Sequence, residues 1–411
     1  MNAASEKLKF TSYQVFIVTI IALTQFTVVL DFMIMSPLGD MLMKSMEMNT
    51  QQFGWVVSAY AFSAGISGIL TAGFADRFDR KKLLLFFYIG FILGTLFCGL
   101  SHHYLVLILA RVVTGIFGGV ISSISMAIVA DLFVLQQRGR VMGFVQMGFG
   151  ASQVLGIPIS LYIANSWGWQ APFFMIVGLA LIIWCVMLAV MRPVNAHLLA
   201  PTMDGHKPLL HLWNTLKQRR YRVGFLATAL LSLGGFMMMP FGSAFAINNL
   251  GVSQEQLPII FVVSGLCSLI VMPLIGRFSD KINKLKIFTL ASLWMVCMVL
   301  VYTNLGLTPF WLVVLINSLM MLGVMARMVP AMAMTSALPQ MQDRGAFMSI
   351  NSSLQQVSGG IAAAIGALIV HQDTPHSPLQ HFDWVGYCML LIVLFNIYTF
   401  RRVSRSIAGP K

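Results

Sequence analysis

Three ionisable residues stand inside long apolar runs of this 411-residue chain: Asp31, Arg111 and Arg327. A charge in hydrocarbon costs about 2.5–3.5 kcal/mol on insertion scales, so each is expected to face a bundle interior or a water-filled cavity. Thr24, Thr27, Asp31 and Met35 are spaced i, i+3, i+7 and i+11, one face of a helix. A carboxylate placed there can carry a proton or recognise a cation. It can equally be a structural partner locked to an arginine. Burial and a neighbouring arginine push a carboxyl group's ionisation in opposite directions, so a membrane Asp–Arg pair can be poised to titrate. Two arginines against one acid leave a cation uncompensated, which suits an anionic or hydroxyl-rich ligand. Gln146, Gly150, Gln153, Ile157 and Ser160 share one helix face, as do Asn351, Gln355 and Ser358; the amides are candidate cavity-lining groups.

Other chemistries find little support. The five cysteines lie singly in apolar runs, as small buried hydrophobes do. The eight histidines fall in loops and a polar linker, and the spacing of His371, Asp373, His376, His381 and Asp383 matches no compact metal-ligand set. No phosphate-cradling loop with a following lysine is present, so neither ATP drive nor a bound cofactor is expected within the chain. An enzyme is not expected.

The elements that must hold these charges are membrane helices. The chain is 58% hydrophobic and only 9% charged, far below the quarter expected of a soluble domain. Twelve runs are long enough to cross a bilayer: 13–42, 52–75, 82–101, 104–131, 140–164, 171–191, 222–247, 257–277, 286–303, 309–336, 345–369 and 384–401. The net charge of +13 is topological. Apart from Lys44, Arg111 and Arg327, the cations fall in alternate loops and the termini, the positive-inside pattern, which argues against nucleic acid as the partner. Both termini are then expected in the cytoplasm. The first run, preceded by Lys7 and Lys9, reads as an uncleaved span. Residues 192–221 form the longest polar segment, with an amphipathic piece at 209–216, and read as a linker between bundles 1–191 and 222–411.

The chain also repeats itself. Ala72-Gly73-Phe74-Ala75-Asp76-Arg77-Phe78-Asp79-Arg80-Lys81 returns about two hundred residues later as Gly276-Arg277-Phe278-Ser279-Asp280-Lys281-Ile282-Asn283-Lys284. Arg138-Gly139 likewise recurs as Arg344-Gly345. Recurrence at half the chain length indicates a duplicated architecture.

The first copy resembles motif A of the major facilitator superfamily, Gly-x-x-x-Asp-Arg-x-Gly-Arg-(Arg/Lys), matched by Asp76, Arg77, Arg80 and Lys81, while Asp79 replaces the inner glycine. Leu107-x-x-x-Arg111-x-x-Thr114-Gly115 resembles motif B, with Thr114 in the glutamine position. Ser152-Gln153-Val154-Leu155-Gly156-Ile157-Pro158 is similar to a worn motif C, in which Gly156 and Pro158 would bend the helix. Leu30-Asp31-Phe32-Met33-Ile34 resembles the first-helix signature of exporters in that superfamily.

The resemblance implies an all-α membrane protein of twelve helices in two pseudo-symmetric six-helix bundles, working as a monomer in a bacterial cytoplasmic membrane. It implies proton-coupled antiport that exports a small organic compound, drug-like or sugar-like, powered by the proton gradient. The first, fourth, seventh and tenth helices would line a central cavity, bringing Asp31, Arg111 and Arg327 together. Asp76, Arg77, Arg80, Lys81, Asp280 and Lys281 would form an inner gate. Uptake by proton symport and a non-transporting sensor on the same scaffold are the competing expectations.

Overall fold

The computed structural model describes residues 10–195, 198, 208–340 and 343–407, leaving out the side chains at 72, 73, 76, 135, 136, 139, 146, 208, 209, 272, 273 and 276–281. The described chain is helical, with α1 Ser12–Ile34, α2 Gly39–Ser45, α3 Thr50–Phe74, α4 Arg80–Leu100, α5 Tyr104–Leu132, α6 Leu135–Ala151, α7 Ile157–Trp167 and α8 Ala171–Val190. There follow α9 Pro208–Lys217, α10 Arg219–Phe236, α11 Gly242–Asn248, α12 Leu257–Lys281, α13 Lys284–Thr303, α14 Phe310–Ser336, α15 Arg344–Ile369 and α16 Phe382–Ile407. Among the described residues eleven spans are long and apolar enough to cross a membrane, and α12 adds the shorter apolar stretch Leu257–Val271.

Local chemistry explains the helix starts. Thr11 and Gln14 form a reciprocal capping box at α1, and Asn49 with Gln52 does the same at α3. Asp79 accepts from the Lys82 amide to cap α4, and Asn283 accepts from the Leu285 amide to cap α13. These are corresponding positions of the repeated loop. The acid that displaces a glycine in motif A is therefore a helix cap.

Three expected spans are broken. The span expected over 13–42 stops at Ile34, because the chain before Pro37 is driven from helical geometry and Pro37 offers no amide proton. The span expected over 222–247 stops at Phe236 after Gly234 and Gly235, passes through a tight turn at Met239–Phe241 containing Pro240, and resumes as α11. The fifth span contains a π-turn, Ser152–Gly156, just before Pro158. Gly156 is required there: a Cβ would lie 2.6 Å from Leu30 of α1. The expected bend at Gly156 and Pro158 is thus a π-turn. The linker is also shorter than 192–221, since α10 begins at Arg219.

Helices α1 to α8 pack chiefly among themselves, as do α10 and α12 to α16, and the two groups meet where α3 lies along α15 and α7 along α12. The α9 helix rests on α10, α15 and α3. It is held by buried Asp343, which accepts from Tyr221 Oη at 2.8 Å and Gln218 Nε2 at 3.2 Å, with His211 Nε2 3.6 Å from its other oxygen. His211 of the linker sits on this helix, which covers the amphipathic piece expected at 209–216.

Small residues bring α4 and α5 close. A Cβ at Gly94 would stand 2.9 Å from the Thr114 backbone nitrogen. Gly94→Val is expected to wedge the two helices apart and cost about 1–3 kcal/mol. A lowered melting temperature of the detergent-purified protein would show it; an unchanged one would mean that the helices can separate freely.

Candidate functional site

Asp31 and Arg111 meet inside the first group of helices. Arg111 NH1 donates to Asp31 Oδ2 at 2.8 Å, and both side chains are fully buried. Thr95 of α4 donates to the other carboxylate oxygen at 3.1 Å. Arg111 also lies over the ring of Tyr60 from α3, 4.5 Å from its centroid, a cation–π contact that shields the pair from one side. Four helices therefore hold one ion pair: α1 gives the acid, α5 the base, α4 a hydroxyl and α3 an aromatic face. Arg111 is seven residues into α5, about 10 Å along its axis, so the pair lies nearer the end of the bundle that carries α2.

The face of α1 that bears Asp31 is turned toward α4. Thr27 shares a hydrogen bond with Tyr88 Oη at 2.9 Å, and Thr24 and Thr27 are both buried. Thr27, expected beside a central cavity, is instead part of the contact between α1 and α4. Arg327 is not brought to the other two charges either. It is buried in the second group, where NH2 donates to the Leu231 carbonyl of α10 at 3.1 Å and the guanidinium lies against Gly234 and Gly235. Spacing along one helix cannot show which neighbour a face will meet; that depends on how the helices pack. Gln153, Asn351 and Gln355 are half-buried.

An aromatic series runs between the groups. Tyr60, which covers Arg111, stacks with Phe32 at 5.2 Å between ring centroids, and Phe32 meets Phe236 of α10 at 6.1 Å. Phe236 directly follows the glycine pair beside Arg327.

At the basic end, Arg80 is buried and paired with Asp131 of α5 at 3.2 Å, and it donates to the Ala75 carbonyl at 2.8 Å. Lys81 donates to the Leu188 carbonyl of α8, whereas Arg77 is exposed. The side chains of Asp76, Gln146, Asp280 and Lys281 lie outside the described residues. Asp131 was not foreseen as the partner of Arg80, although an acid closing the apolar run 104–131 is a visible signal.

The opposite end is tied across the two groups. Asp40 of α2 is buried and accepts from Lys44 at 2.8 Å, Asn248 at 2.7 Å and Gln254 at 3.2 Å. Lys44 donates in turn to Asn248, and Asn165 to the Gln254 carbonyl. The two broken spans face each other here: Ser36 bonds the Met239 carbonyl, and Ser243 donates to the Ser36 carbonyl. Thr50 reaches the Val370 carbonyl and Ser58 that of Gly360, so the seam between α3 and α15 is bonded along its outer half. Asp40 was missed because it falls within a run read as one span, yet Asp40 and Lys44 at i and i+4 mark a helical ion pair.

The model described as Major Facilitator Superfamily matches residues 21–363 and 224–409. An uncharacterized MFS-type transporter, YceJ, from Bacillus subtilis is 26% identical over 93% of this chain and 94% of its own length. Multidrug resistance protein 2 of the same organism is 22% identical over 86% and 88%, and a "Probable sugar efflux transporter" of Helicobacter pylori is 24% identical over 86% of both. Among solved structures, a D-xylose-proton symporter superposes with a TM-score of 0.79 at 16% identity, covering 95% of this chain and 98% of that one. A bacterial homolog of the human lysosomal transporter Spinster does so with a TM-score of 0.76 at 13% identity, covering 98% and 100%.

Proposed function

This chain belongs to the major facilitator superfamily, and from that premise we propose that it is a proton-coupled antiporter exporting a small organic compound across a bacterial cytoplasmic membrane by alternating access. Residues 1–191 and 222–411 act as two rocking halves joined by the linker. The basic end is cytoplasmic, and the end carrying α2 and α11 is the outer gate. The relative named as a probable sugar efflux transporter supports the direction of transport by its name.

The buried Asp31–Arg111 pair carries the coupling. Asp31 is the sole carboxylate placed deep within a span, so a proton crossing with the transport cycle has one obvious carrier. While ionised, Asp31 and Arg111 are mutually neutral. A proton arriving on the carboxylate removes the counter-charge of Arg111 and leaves it as an uncompensated cation against the Tyr60 face. An unpaired charge at low dielectric costs several kcal/mol, and that cost falls when the helices move to admit water. Protonation thus favours a change of access, and release of the proton restores the ion pair and the arrangement seen here.

Inverted vesicles with an acidified lumen test the reading. Compounds drawn from drug-like and sugar-like sets should dissipate the pH gradient in the wild type and not in Asp31→Asn. Equal responses in the two would remove Asp31 from coupling, and gradient formation driven by added solute would mean symport.

A further inference from the structure

A second deep cation is left without a counter-charge. Arg327 is 1% exposed, and of its three guanidinium nitrogens one bonds the Leu231 carbonyl while Nε and NH1 have no partner. No carboxylate is near it by sequence: from α10 to α16 the acids are Asp280, Asp343 and Asp383, all at helix ends, with Glu255 and Asp373 in loops. The glycine pair of α10 makes room for the charged group. A Cβ at Gly235 would stand 3.4 Å from NH2 and one at Gly234 would stand 3.9 Å from NH1. Ser232 Oγ of α10 and Asn396 Oδ1 of α16 are buried and also without partners. Neither can neutralise a charge. An uncompensated arginine in a membrane interior is costly to keep, and guanidinium donors make their strongest bonds with oxyanions.

We infer that Arg327 is the anchor of an anion site: the exported compound carries a carboxylate or phosphate group that binds the free Nε and NH1 of Arg327 beside the glycine pair of α10. The inference rests on the transport reading and narrows its substrate class. The asymmetry between halves supports it. Arg111 has Asp31 as a resident counter-ion and is already neutralised, whereas Arg327 has none and is free to accept one from outside. The Tyr60, Phe32 and Phe236 series links the edge of this site to the coupling pair, so a bound anion and a bound proton would act on one run of aromatic groups.

The test compares charge at constant shape. Thermal melts of the full-length purified protein would be recorded with benzoate, gluconate and inorganic phosphate, and with benzamide and glucose as neutral partners. At least one anion should raise the melting temperature where its neutral partner does not, or, for phosphate, where an equal ionic strength of chloride does not. That rise should vanish in Arg327→Gln and persist, weakened roughly tenfold in affinity, in Arg327→Lys, which keeps the charge. An increase that survives in Arg327→Gln, or no anion outperforming its control in the wild type, would overturn the assignment, and the latter comparison needs no variant to fold. Water filling the site in place of an anion gives the same melts for acids and neutral partners. The vesicle assay separates this result from the broader reading. Proton flux driven only by neutral or cationic compounds rejects the anion site and keeps transport, while Arg327-dependent anion binding without any flux does the reverse.

Discussion

Asp31→Ala is expected to destabilise the protein by about 3–5 kcal/mol, because it strands Arg111 as an unpaired charge in a fully buried position. Two of the Arg111 nitrogens, Nε and NH2, already lack partners, so there is little left to absorb the loss. Thr95 loses its acceptor at the same time. Asp31→Asn should be much milder, since an amide oxygen can still accept from Arg111 and Thr95. It removes the proton-binding group while leaving the packing of α1, α4 and α5 in place. The double variant Asp31→Leu with Arg111→Met should recover most of the stability, as apolar replacements of buried ion pairs often do, and should be inactive in vesicles. Melting of the three purified proteins decides between roles. Full recovery of both stability and coupling in the double variant would make the pair dispensable to mechanism. Wild-type melting of Asp31→Ala would mean that the arginine finds another partner.

Asp40→Ala is expected to open the outer gate. Asp40 gathers three donors, two of them, Asn248 and Gln254, from the other half of the molecule. Hydrogen bonds to a charged group contribute about 1.5–3 kcal/mol each, and Lys44 would be left without its acid. A net loss of about 2 kcal/mol from the closed state moves the ratio of closed to open molecules about 30-fold. The readout is the distance between spin labels at Ser45→Cys and Glu255→Cys, two exposed positions flanking the gate, with the exposed native Cys185 and Cys297 replaced. The variant should show a longer population absent from the parent. If the distribution does not move, the closed state is held by the seam between α3 and α15 and by the Ser36–Met239 contact, not by Asp40. The fold itself should survive, because Asp40 is not part of the apolar core and the substitution leaves the buried Leu42, Met43 and Phe245 in place.

These two sites differ in how they could be read beforehand. Asp31 and Arg111 stood out in sequence because a charge in an apolar run violates the composition around it, and water is not there to excuse it. Asp40 did not, since it lies two residues from the end of the run 13–42, where a charge meets the polar loop. The break at Ser36 and Pro37 converts its surroundings from membrane helix to gate, and the break becomes meaningful only beside its counterpart at Met239 and Pro240.

The helical membrane class, the positions of nearly all the spans, the duplication and the identity of the deep charges were legible in the residues alone. Each of these follows from local quantities: the length of an apolar run, the period of a polar stripe, the spacing of a repeated loop. Even the substitution of Asp79 for a glycine is local, a cap for the next helix that Asn283 repeats in the second half. Only the tertiary structure decided which charges meet. Twelve helices of similar length can be packed in many ways that satisfy hydrophobicity equally, because lipid and helix interior are both apolar. What selects one arrangement is close approach at small residues, as at Gly94 against Thr114, and the requirement that each buried polar group find a partner. That requirement paired Asp31 with Arg111, turned Thr27 to Tyr88 rather than to a cavity, and left Arg327 alone beside two glycines.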